Sequence, residues 1–402
     1  MRFRFAAASG ILLLTLAGCA APAAPAPEPT SSTTTEGDGH GQIEGARELA
    51  EPALHLTTID ADGIVHHLDL LDEETSVLAE IEPVDDIVTD GRYLFGIREG
   101  SVTVIDSGVW TWSHIDHFHY YEAPARVLGE ITGQGVPDVV TGDAGIGVRF
   151  ADEAVLLDAT ALADGQIEEA FRIPADGGDG LVVPLASGAV MTDADGSASP
   201  SLRVVAADGS TVGDGIPCES ASGTITTVVG VVIGCADGAV MFTGGDPAAV
   251  ERIPYPEGTA PAATGFAARE ARPRVAAVAG STGVWILDTR QRTWTLQDVG
   301  EPIVQAAAID DADGRVLALT ADGAVLVLAD GQVIARTEPL VAASLADAEA
   351  ADGVRFVVDQ NRAYLNGPIE QTMWEIDAAD GARVARTFET AYAPLQLAGT
   401  GR

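Results

Sequence analysis

Val316-Leu-Ala-Leu-Thr-Ala-Asp-Gly-Ala-Val-Leu-Val-Leu328 decides the fold. Two apolar runs flank Asp322-Gly323, a pair that accepts the positive φ of a tight hairpin turn. Short runs of the same kind recur at Ser101-Val-Thr-Val-Ile105, Gly230-Val-Val-Ile-Gly234 and Gly283-Val-Trp-Ile-Leu287. Asp-Gly turns punctuate the chain at Asp62-Gly63, Asp90-Gly91, Asp208-Gly209, Asp237-Gly238, Asp313-Gly314, Asp330-Gly331, Asp352-Gly353 and Asp380-Gly381. A sustained apolar stripe at helical period is missing, and the Ala-rich piece from Val341 to Ala351 allows one short helix at most. The chain is expected to be all-β.

The strands group with a period near forty residues, which is the spacing of propeller blades. Units fall near 83–114, 125–172, 178–212, 224–255, 262–300, 302–338 and 343–386. Residues 53–80 hold further strands, and Leu395-Gln-Leu397 holds one more. A β-propeller follows, its ring closed by a composite blade of N- and C-terminal strands that leaves no open edge. That grouping gives eight blades; seven is the alternative, because the unit at 125–172 is loosely bounded. Trp-Asp and Gly-His blade signatures are lacking, so this is not a WD40 array.

Met1-Arg-Phe-Arg4, the apolar Ile11-Leu-Leu-Leu-Thr-Leu16 and then Leu16-Ala-Gly-Cys19 read as a secretory signal too short for a membrane span. Cys19 stands where the bacterial lipobox has its acylated cysteine; an ordinary signal peptide with a chance Cys is the other reading. Residues 1–19 are thus expected to be a lipoprotein signal peptide and 20–50, rich in Ala, Pro, Thr and Ser, a disordered tether. Residues 51–402 would be the propeller, exported and held by lipid at the outer face of the cytoplasmic membrane. His40 lies in the tether, where a single imidazole is usually solvated.

The formal net charge is -38, and every basic residue is Arg. Nucleic-acid binding needs a basic surface and is excluded. Attraction to anionic lipid is disfavoured as well, so membrane contact should come through the lipid anchor only. An acidic field does concentrate cations. Cys218 and Cys235 are expected to pair in an exported chain, a Cys-containing metal site being the alternative.

Trp110-Thr-Trp-Ser-His114-Ile-Asp116-His117-Phe-His119-Tyr-Tyr121 holds three of the seven histidines, and none follows it. Neutral imidazole is the commonest protein metal ligand. A strand puts His117 and His119 on one face; His114 joins them only if a turn or bulge intervenes. The stretch reads as a zinc site with His114 or Asp116 completing the set, or else as an aromatic-rich structural strand.

Other chemistries find less support. Asp60-Ala-Asp62-Gly63, Asp193-Ala-Asp195-Gly196 and Asp311-Ala-Asp313-Gly314 resemble the start of calcium loops but lack the further oxygens, and hairpin turns explain them. There is no Gly-x-Ser-x-Gly elbow, and His55, His66 and His67 are the other body histidines. His66 and His67 would point to opposite faces of a strand, one packed and one exposed. A carboxylate-based hydrolase has no motif of its own.

With His117-Phe-His119-Tyr-Tyr, the lipobox, Cys218 and Gly234-Cys235-Ala-Asp237-Gly238, the chain resembles the AztD zinc metallochaperones. The resemblance implies an exported, non-enzymatic β-propeller, expected as a monomer. It would bind zinc and pass it to the solute-binding protein of a zinc ABC transporter. The family's His-His-Gly before a Val-x-x-Pro strand is replaced here by Gly178-Asp179-Gly180, so Asp179 becomes a candidate oxygen ligand. Its Leu-His-Gly is replaced by Ala221-Ser222-Gly223. A zinc site on centre-facing strands would keep His117 and His119 and lose imidazoles elsewhere. A propeller that has lost zinc and serves as a surface interaction or ligand-binding module is the alternative function.

Overall fold

A computed structural model describes residues 41–402 apart from 44, 115–116, 176–179, 193–199, 246–247, 259–260 and 361. The Val316–Leu328 stretch forms a hairpin of strands Val316–Thr320 and Val325–Ala329, with Val316 opposite Leu328 and Leu319 opposite Val325. Gly323 takes φ +89° in the turn, and the Thr320 hydroxyl bonds the Ala324 backbone at 2.9 Å. The turn at 60–63 is fixed by Asp60 Oδ1, which accepts from the Asp62 and Ile64 amides at 3.0 Å. Gly63 there has φ +81°, and a Cβ would strike the Ile81 carbonyl. Asp311 Oδ1 accepts from the Asp313 and Arg315 amides in the same way, so these two calcium-like stretches are hairpin turns. Asp193-Ala-Asp195-Gly196 lies outside the described residues. Asp352-Gly353 makes no hairpin; it sits in the 3-10 turn Ala351–Gly353.

Ten strands open the chain: β1 (Arg47–Leu49), β2 (His55–Ile59), β3 (Ile64–Asp69), β4 (Thr75–Glu80), β5 (Asp86–Thr89), β6 (Tyr93–Arg98), β7 (Ser101–Asp106), β8 (Val109–His114), β9 (His117–Glu122) and β10 (Arg126–Thr132). β5, β6, β7 and β10 form one four-stranded antiparallel sheet. Six more follow in chain order within 138–174, 182–217, 224–254, 263–298, 303–336 and 356–389. The closing sheet pairs the strand Leu395–Thr400 with β2, followed by β3 and β4. Among the described residues there are thus eight four-stranded sheets and one three-stranded sheet, β1-β9-β8.

Each four-stranded sheet packs on the next through its own apolar seam. Ile59 and Val65 of the closing sheet meet Ile87, Leu94 and Ile105. Tyr93, Phe95 and Val104 meet Ile146, Val148 and Phe150. The series returns to its start where Tyr364, Met373 and Phe388 meet Leu56 and Leu68. Middle strands are covered on both faces, which is why they read as continuous apolar runs instead of alternating ones. This is a propeller closed by N- and C-terminal strands. Thr57 Oγ1 and Thr400 Oγ1, 3.3 Å apart, tie the closure.

Two boundaries differ from the sequence reading. The fourth strand of the 86–132 sheet is β10, which pairs β7 from Arg126↔Asp106 to Thr132↔Ser101, so 126–132 does not begin the next unit. β8 and β9 leave that sheet as a hairpin between its third and fourth strands. Arg47–Leu49, inside the stretch read as tether, forms β1 on the edge of β9. Cys218 and Cys235 form a buried disulfide, their Cα atoms 5.2 Å apart. Besides the short α-helix Ala342–Ala346 there is one more among the described residues, Ala159–Ala163, capped by Asp158 Oδ1. No helix among the described residues is long and apolar enough to cross a membrane.

Candidate metal centre

The site rises from a buried ion pair. Arg92 and Asp106 bond in fork geometry, Nε to Oδ1 at 3.0 Å and Nη2 to Oδ2 at 2.8 Å, with the Asp106 side chain fully buried. The guanidinium is thereby held flat, 3.9 Å from the ring centre of Trp110, a cation–π contact. Trp110 stacks on its cross-strand neighbour Tyr121 at 5.3 Å, and Tyr121 on His119 at 6.2 Å. Alternation along β9 then puts His117 on the same face as His119. A rigid aromatic column therefore connects the propeller body to the imidazoles.

His117 Nε2 and His119 Nε2 converge to 2.9 Å. The other nitrogen of His119, Nδ1, lies 2.7 Å from Glu48 Oε1 on β1. A consistent proton arrangement has His119 Nδ1–H donating to Glu48 and His117 Nε2–H donating to the His119 Nε2 lone pair. Zinc–nitrogen bonds of 2.0–2.1 Å place two tetrahedral ligands roughly 3.3 Å apart, so a few tenths of an ångström of ring rotation lets a zinc ion replace that proton. Imidazole Nε2 donors with a carboxylate behind one of them suit zinc chemically. The pair supplies two of the four positions. Among the described residues no three His, Cys, Asp or Glu side chains form a group ready to hold a metal.

The β8–β9 register pairs residue 114 with His117, so a turn does fall between them. Asp116 and Asp179 lie outside the described residues, as do His40 and Cys19. Glu48 is the member that the sequence reading missed. The zinc site was expected on centre-facing strands; the structure places His117 and His119 instead on a hairpin outside the ring of inner strands. The hairpin is tied to the chain just beyond the closing strand Leu395–Thr400, where the Thr111 hydroxyl donates to the Gly401 carbonyl at 2.7 Å.

The channel is a cavity of about 820 Å³ lined by Thr89, Thr141, Thr226, Glu270 and Arg402 among others. Glu270 lines the channel, solvent-accessible but enclosed by the channel wall. This enclosure pushes its carboxyl up to about 7; Arg402 opposes the shift, and Asp90 and Asp143 add to it. His55, His66 and His67 are structural. His66 pairs with Asp60 at 2.9 Å and stacks on Tyr392, half-buried. His67 is buried against His55 and Thr400, so neither ring is the freely exposed one expected.

No protein-family model and no curated protein sequence matches the chain. Solved structures do. Dihydro-heme d1 dehydrogenase NirN aligns with a TM-score of 0.58 at 15% identity, over 89% of this chain and 77% of that one. Apo AztD from Citrobacter koseri aligns with a TM-score of 0.72 at 21% identity, over 87% of this chain and 98% of that one. A second Citrobacter koseri AztD structure gives 0.74 at 20% identity with the same coverage. At these identities the likeness establishes the fold: over 87% of its length the chain has the β-propeller fold of AztD.

Proposed function

We propose that this chain is an AztD-type zinc metallochaperone: an exported, lipid-anchored, non-enzymatic propeller. It takes zinc as cargo and hands it to the solute-binding protein of a zinc ABC transporter. The observation that carries the reading is the convergence of His117 Nε2 and His119 Nε2 at 2.9 Å on a hairpin braced from the propeller body. The AztD-like fold supports it, as does a net charge of -38 that enriches cations at the surface. His114, Asp116 and Asp179 are the candidates for the remaining positions. His117 is exposed and His119 half-buried on the hairpin, an accessible placement that suits handover better than permanent storage.

The test is zinc content of the purified protein after zinc loading and desalting. Wild type should retain zinc, and His117→Ala and His119→Ala should each lose it. A wild-type protein that holds none sinks the proposal.

The second reading, an interaction module without zinc, draws on Trp112 and Phe118, which are 45% and 58% exposed on the same hairpin. Exposed aromatics beside the histidines also fit a docking surface for the zinc acceptor. A zinc ABC transporter encoded beside the gene favours the first reading; retention of a protein partner after loss of both imidazoles favours the second.

A further inference from the structure

Glu48 belongs to a three-residue strand whose one sheet neighbour among the described residues is β9. Arg47 and Glu48 are exposed, and three residue pairs join β1 to β9. Arg47 ion-pairs with Glu122, and Trp110 Nε1 donates to the Gly41 carbonyl at 3.1 Å. Gly41 lies so close to the Trp112 ring that a Cβ would collide with it. Trp112 is in turn the cross-strand partner of His119. This strap therefore wraps the hairpin at the level of the paired imidazoles.

We infer that Glu48 is a positioning residue for His119, and that docking of the strap sets the affinity for the cargo; the inference rests on the zinc reading above. The Glu48 carboxylate at 2.7 Å keeps the proton on His119 Nδ1. The Nε2 lone pair is then directed at His117 Nε2, where zinc would bind, and the ring becomes a stronger donor. Loss of such a carboxylate behind a ligating imidazole lowers metal affinity about 10–100-fold. A three-residue edge strand with exposed side chains opens far more easily than the closed ring unfolds. Undocking the strap would then loosen zinc without disturbing the propeller. By linkage, bound zinc holds the strap down by the same factor.

The test uses the whole protein with zinc alone as probe, its affinity read by chelator competition. Glu48→Gln should weaken binding 10–100-fold, and Glu48→Asp should restore part of it. In metal-free protein, long-range proton–nitrogen NMR should show His119 as the Nδ1–H tautomer in wild type and mixed in Glu48→Gln. Zinc should increase hydrogen-exchange protection of the Glu48 and Leu49 amides. The inference is overturned if Glu48→Gln binds as wild type while His119→Ala does not bind. It is overturned equally if affinity falls with the tautomer unchanged, which would make Glu48 a direct ligand. Wild-type affinity in the His117→Ala, His119→Ala double variant would instead remove the zinc reading itself.

Discussion

Arg92→Leu separates the buried ion pair at the foot of the aromatic column. It leaves the Asp106 carboxylate, fully buried, with the Gly108 amide at 3.1 Å and Arg126 Nη2 at 3.6 Å as its remaining partners. Breaking one side of a buried pair costs roughly 3–5 kcal/mol, mostly from the stranded charge. Arg126 is 45% exposed and compensates in part, which puts the expected loss near the lower figure, about 3 kcal/mol. Loss of the cation under Trp110 removes roughly 0.5–1 kcal/mol within that total. Arg92→Leu, Asp106→Leu should cost much less than the sum of the single changes, because no charge is left stranded. The assay is the urea midpoint, followed by tryptophan fluorescence, for wild type, both single variants and the double. A single-variant loss below about 1 kcal/mol, or strict additivity, refutes the stranded-charge argument.

Two other outcomes are expected. Burial, with His55 adding to it, pushes His67 down to about 3, so the unfolded chain takes up the proton first. The stability that His67 contributes should be whole above about pH 6.5 and fall by up to about 1.4 kcal/mol per pH unit toward pH 3. His67→Gln should flatten that part of the urea-midpoint profile, and an unchanged slope would count against the assignment. Replacing Cys218 and Cys235 by Ala opens a loop of sequence separation 17 and should cost about 3 kcal/mol, read as a lower urea midpoint that no longer responds to reductant.

The propeller was legible because its signals are local. An Asp-Gly turn and its two apolar flanks lie close together in the chain, and the Val316–Leu328 hairpin finds its strand register within those residues. The boundary at β8 was not legible. Val109–His114 and Arg126–Thr132 are both strands, and pairing with β7 chooses between them. His117 and His119 stood out by composition, and strand alternation placed them on one face. Glu48 carried no signal, since it lies among tether-like residues and meets His119 across 71 positions. The column from Asp106 through Trp110 to Tyr121 is likewise a tertiary product.

The closing sheet also bears on the order of folding. Thr57 and Thr400 meet across 343 positions, so β2 is made long before its partner exists. During synthesis from N to C terminus, β2–β4 must wait as a hairpin set with an open edge while the intervening sheets fold on one another. An open strand edge is an aggregation hazard, and such distant pairing slows the final step. Ring closure is therefore expected to be the late, concentration-sensitive stage of refolding, when a chaperone that shields β2 would matter most.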